Sequence, residues 1–148
     1  MIRTEIRTVV SRPLEEVFAY VADFSKLPQY DRWVTSIEKT SPGPVGVGST
    51  WRHRRVQGRR SIDAPIKMIE YERNRRLAIV SGSKGFAVRS TQTFAAHGDE
   101  STEVVEVLEM RLSGMVRLFE PIIRRQVPKQ GAEVHRRLKE ILETSSGE

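Results

Sequence analysis

Glu106 is the residue of this chain best suited to move a proton or anchor a polar group. If its segment is a strand, Val104, Glu106, Leu108, Met110 and Leu112 share one face, and Glu106 interrupts an otherwise apolar row. A carboxylate in such a row must be paired, be protonated or face a wet cavity, because burying a bare charge is costly. Facing inward, it is an acid/base or polar-anchor candidate. A bulge in the strand would flip the parity and turn Glu106 to solvent, and the spacing leaves both placements open.

Trp51 and His53 form a second candidate pair. They alternate on one face of a strand, with Thr50, Arg52 and Arg54 on the other. On a cavity wall the indole would stack on a flat ligand and the imidazole would hydrogen-bond it. The alternative is a core tryptophan next to a histidine at an exposed strand end. Met68, Phe86, Met110, Met115 and Phe119 fit a deformable apolar lining, and fit ordinary core as well. Arg89 alternates with Ala87, Thr91 and Thr93, a small and polar face that reads as solvent-facing, and Asp63 is a further charge within a strand.

Other chemistries find no support. There are no cysteines, so disulfides, thiolate nucleophiles and cysteine-held metals are excluded. His53, His97 and His135 lie far apart without ligand spacing, and no metal or other cofactor is expected. The glycines of 43–48 lead into neither a helix nor a Lys-Ser/Thr pair, which rejects a phosphate loop. No serine occupies a Gly-x-Ser-x-Gly elbow.

The elements that must position these residues follow from periodicity. Ile2, Thr4, Ile6, Thr8 and Val10 alternate as a half-buried strand. Pro13 then opens a helix over 13–22, with Glu15 and Glu16 in its first turn, where the dipole favours them. Asp23 or Ser25 can cap a second, short helix, and 33–40 reads as strand. A constrained connector, 42–48, precedes five strands at about 49–57, 60–72, 75–81, 86–96 and 101–113. Short turn signals between them predict an antiparallel meander. From Met115 to Leu142 the apolar residues recur at helical spacing, and Pro128 predicts a kink or break in that helix. Residues 145–148 are predicted to fray. The order is therefore one strand, two short helices, six strands and one long helix. Only that last helix is long enough to cover the concave face of a curved sheet, and one helix leaves space beneath it.

At 148 residues, with 38% hydrophobic and 30% charged, the chain suits one domain with a limited core or an internal hollow. No run approaches about 18 apolar residues, so no membrane span is expected. The start lacks the basic-then-apolar plan of a secretory signal, and the missing cysteines favour a cytoplasmic address. The net charge is +6, with 19 arginines against 6 lysines. A basic face attracts RNA or an anionic membrane. The arginines are scattered in pairs, however, which favours a merely solvated surface.

Several segments together carry a resemblance. Ser11-Arg12-Pro13-Leu14-Glu15-Glu16-Val17-Phe18 forms the strand-to-helix opening, and Asp23-Phe24, Leu27-Pro28 and Trp33 follow it. Gly46-Val47-Gly48-Ser49-Thr50-Trp51 forms a glycine turn into the third strand, and Ile69 to Leu77 a mid-chain hairpin with Asn74 where proline is common. In order and spacing they resemble the START-like, helix-grip superfamily of polyketide cyclases/dehydrases, lipid-transfer proteins and birch-pollen-allergen-like proteins. The resemblance implies an α+β helix-grip domain over 1–144. Its curved seven-stranded antiparallel sheet would wrap a long C-terminal helix, with two short helices between strands 1 and 2. It further implies a cavity for a hydrophobic small molecule, lipid-like or aromatic and polycyclic. Trp33, Trp51, His53, Met68, Phe86, Glu106, Met110, Met115 and Phe119 are the expected wall. Two alternatives stand beside binding: an aromatase/cyclase in which Glu106 or His53 moves protons, and a module docking RNA or an anionic membrane.

Overall fold

The computed structural model describes residues 1–144, so the fraying expected of 145–148 lies outside the described residues. Strand β1 (Ile2–Val10) buries and exposes alternate residues as its sequence alternation predicts. Helix α1 (Leu14–Ala22) starts just after Pro13, carries Glu15 and Glu16 in its first turn, and buries Val17, Phe18, Val21 and Ala22. The Asp23 carboxylate accepts the Ser25 amide (3.2 Å) and hydroxyl (2.6 Å), opening a 3₁₀ turn at Phe24–Lys26 that runs into α2 (Leu27–Tyr30).

Six further strands follow: β2 (Val34–Lys39), β3 (Thr50–Gln57), β4 (Arg60–Glu72), β5 (Arg76–Ser83), β6 (Phe86–Ala96) and β7 (Thr102–Leu112). They form one antiparallel seven-stranded sheet in the order β1-β7-β6-β5-β4-β3-β2. The hairpins are sequential except that β1 closes against β7, from Ile2 opposite Met110 to Val10 opposite Thr102. In the β4–β5 turn Asn74 has φ 61°, a left-handed conformation that proline's ring forbids and asparagine tolerates. That explains the departure from the proline expected there.

A bulge between Met68 and Glu70 reverses the facing of β4 partway along. Met68 and Tyr71 lie on the inner face, whereas Glu70 turns outward and accepts hydrogen bonds from Arg76 and Arg89, each at 2.9 Å. Arg89 thus belongs to the outer, solvated surface, as its neighbours predict, and so does Asp63, which pairs there with Arg54 at 3.0 Å.

The last strand leads through a 3₁₀ turn at Gly114–Phe119 into α3 (Glu120–Thr144), which lies across the inner face and against β1. Gly85, at φ 96°, lets this turn approach: a Cβ there would stand 2.3 Å from Val116 Cγ2. The break expected at Pro128 does not occur. The helix continues through it with the proline on the exposed side, losing only the amide that would have met the Arg124 carbonyl. Polar ties hold the second half of α3. Gln57 and Gln130 exchange amide hydrogen bonds at 3.2 and 3.0 Å, and Arg32 pairs with Glu133. Near the helix end the Arg12 guanidinium donates to the carbonyls of Leu142 (2.9 Å) and Glu143 (3.2 Å).

Candidate functional site

Helical spacing on α3 puts Gly131, His135, Leu138 and Leu142 on its buried stripe. His135 is the polar member of that stripe and lands over the inner face where β1 pairs with β7. Glu106 comes up from β7 to meet it, so the inward placement of Glu106 is the one the chain adopts. His135 Nε2 donates to Glu106 Oε1 at 2.7 Å, and the Ser90 hydroxyl of β6 donates to Glu106 Oε2 at 2.6 Å. The second ring nitrogen, Nδ1, shares a 2.8 Å hydrogen bond with the Thr8 hydroxyl of β1. A hydroxyl can donate or accept, so this shell satisfies the imidazole whether neutral or protonated. Four elements therefore meet in one polar cluster.

The electrostatics follow from that packing. Burial alone pushes the Glu106 carboxyl up. The hydrogen bond and charge of His135, the Ser90 hydroxyl and the Arg55 guanidinium outweigh it, and the carboxyl sits below its ordinary value of 4.5. Arg55 is itself held by the buried Asp31, Nη1 to Oδ2 at 3.0 Å, and Asp31 also accepts the Trp33 amide. Burial, then the nearby Glu106 charge, pushes the Tyr30 hydroxyl up.

Apolar walls adjoin the cluster. Thr4 and Ile6 of β1, Leu108 and Met110 of β7, Phe86 and Val88 of β6 and Ile79 of β5 all face inward, yet all are only half-buried. Ile2 and Leu112 are sealed beyond them at one end, and Val10, Phe94 and Val104 at the other. A filled core would cover the middle as fully as the ends. The middle of the inner face is thus less completely covered than its ends, with Glu106 and His135 beside it.

The expected wall residues divide. Phe86, Glu106 and Met110 all sit on the inner faces of β6 and β7, with Phe86 opposite Leu112, Met110 opposite Val88 and Glu106 farther along, opposite Gln92. Trp51 and Met68 are packed core, at 3% and 0% exposure, with the indole tilted against Phe24 at 4.6 Å. His53 is half-buried on β3, and its Nδ1 lies 3.0 Å from the Ala64 carbonyl; burial lowers its pKa. Trp33 is half-buried at the start of β2 beneath the Arg32 guanidinium, 4.6 Å from the ring. Met115 and Phe119 are corrections: at 79% and 52% exposure they point to solvent. The tight 3₁₀ turn gives Val116 to the interior contact and leaves them outside. Two depressions, about 330 and 200 Å³, lie on the outer face of the sheet and are lined by such residues as Arg89, Thr91 and Lys67. Neither is the hollow expected under the helix.

His135 is the residue that sequence reasoning missed. A histidine in register with Leu138 and Leu142 was the available signal, but its partner is 29 positions away and on another element. Among the described residues no cluster of His, Cys, Asp and Glu could hold a metal ion, and no helix is long and apolar enough to cross a membrane.

The model of a family described as polyketide cyclase/dehydrase and lipid transport matches residues 1–143. No curated protein matches the chain. Solved structures do resemble it. One is a protein from Thermus thermophilus, 20% identical, with TM-score 0.82 over 97% of this chain and 99% of that one. A START superfamily protein from Mycobacterium smegmatis is 14% identical, with TM-score 0.83 over 97% and 99%. An aromatase/cyclase from a Streptomyces species is 12% identical, with TM-score 0.80 over 95% and 93%. At such identities the likeness is one of fold.

Proposed function

From the premise that this chain belongs to the polyketide cyclase/dehydrase and lipid transport family, we propose that the half-covered middle of the inner face forms a trough beneath α3 and binds a hydrophobic small molecule there. The carrying observation is the row of inward apolar side chains left half-buried around a buried carboxylate–imidazole pair. Apolar walls with a few convergent polar groups are the usual composition of a small-molecule site. The apolar body of a lipid-like or polycyclic aromatic guest would lie along Ile6, Phe86, Leu108 and Met110. Its oxygen would reach Glu106 or His135.

Native mass spectrometry of the protein purified from its own host tests this reading. The expected spectrum shows an added mass that disappears in Met110→Arg, because a guanidinium would have to desolvate against the trough floor. Uptake of a polycyclic aromatic dye should weaken at least about tenfold in the same variant. No added mass, together with dye uptake unchanged by Met110→Arg, would end the proposal.

The Glu106–His135 pair favours a second reading, cyclisation of a poly-β-ketone. The carboxylate would take a proton from a carbon between two carbonyls while the imidazole polarises one of them. Turnover should then fall at least about tenfold in Glu106→Gln. Full activity in that variant would remove the role.

A further inference from the structure

The four largest apolar side chains of the 3₁₀ turn and the first turn of α3 face water. Met115, Leu118, Phe119 and Ile122 are 79%, 74%, 52% and 55% exposed. Their spacing of three, four and seven residues places them on one side, opposite the buried stripe that ends at His135, Leu138 and Leu142. Arg117, Arg125 and Lys129 border this patch, and none of them has a carboxylate within ion-pair distance among the described residues. The nearby acids are already neutralised, Glu120 by Arg124 at 3.0 Å and Glu133 by Arg32. An exposed apolar strip with an uncompensated cationic border is the composition of a helix that lies in a bilayer interface.

We propose that this face of the 3₁₀ turn and early α3 docks on an anionic lipid bilayer, with Leu118 and Phe119 entering the acyl boundary and Arg117, Arg125 and Lys129 meeting the headgroups. Charge selects this occupant over a second copy of the chain. A two-fold contact through the patch would bring the same three cations against one another, whereas an anionic surface pairs with all of them. An RNA would answer the cations and leave four apolar side chains in water.

Sedimentation with vesicles tests the proposal independently of the ligand reading. Phosphatidylcholine vesicles with about one-third phosphatidylserine should retain the protein, and rising salt should release it. Vesicles of phosphatidylcholine alone should retain it weakly. Leu118→Ser/Phe119→Ser and Arg117→Glu/Arg125→Glu should each weaken retention about tenfold or more. Both pairs are surface positions, so circular dichroism should report an unchanged fold. Wild-type retention in both double variants would overturn the proposal. So would equal retention on neutral vesicles. Self-association abolished by Leu118→Ser/Phe119→Ser without vesicle binding would assign the patch to a second copy instead. RNA binding indifferent to that variant, again without vesicle binding, would assign the cations to RNA.

Discussion

His135→Leu should lower the unfolding free energy by about 3–5 kcal/mol, because it strands the Glu106 carboxylate in a buried place without its main partner. For a chain of this length that is about 10 °C in Tm. The pH dependence gives the effect a signature. In the native chain the folded carboxyl titrates below its unfolded value, so its contribution is present above the unfolded value and is lost as pH falls through the folded one. In His135→Leu the burial that pushes the carboxyl up is left with only Ser90 and Arg55 against it. Its folded value should then lie above the unfolded one, and acid should stabilise the variant until the group is protonated. The two proteins should therefore show opposite slopes of stability against pH on the acid side. Urea unfolding across that range measures this, and parallel slopes would refute the account. Replacing Glu106 as well, in Glu106→Leu/His135→Leu, should recover much of the loss, since two apolar groups need no counter-charge.

Phe18→Ala should cost about as much, roughly 3–5 kcal/mol by the usual range for a fully buried aromatic truncated to alanine. Phe18 is 2% exposed and meets Phe94 at 5.0 Å and Tyr71 at 5.6 Å, both edge-to-face. Such pairs add about 0.5–1.5 kcal/mol each beyond buried area. Tyr71 reaches Phe18 only because the bulge after Met68 turns it inward. The substitution thus removes the joint between α1 and the middle of the sheet. Phe18→Leu should restore most of the loss by refilling the space. A fall in urea midpoint at constant slope is the expected measurement, and a loss below about 1 kcal/mol would contradict the packing described.

The fold was legible because its signals are local. Alternation in β1, the proline-led acidic turn of α1, the turn residues between strands and the helical spacing after Met115 each declare an element within a few residues. The strands came out within about two residues of their predicted limits, as such readings allow. Pro128 misled because a single missing amide on an exposed face is tolerated when the helix beyond it is tied to the sheet. The site was legible only on one side. Glu106 announced itself by breaking an apolar row, and a charge in that position has few resting states. His135 did not, since a histidine among leucines becomes meaningful only when the facing strand is known. The outward turn of Met115 and Phe119 was invisible for a related reason. A 3₁₀ start rotates side chains differently from an α-helix, and nothing in that segment's composition distinguishes the two.

The pairing of β1 with β7 has a consequence for the order of assembly. The first strand leaves the ribosome about a hundred residues before its only neighbour in the sheet, and contacts so distant along the chain close slowly. Until then a half-apolar ribbon waits unpaired, and α3, which rests on it and whose end Arg12 holds, has not yet been made. Nascent chains are therefore most exposed to sticking together late in synthesis. A chaperone's hold on the leading residues would matter more here than anywhere else in the molecule.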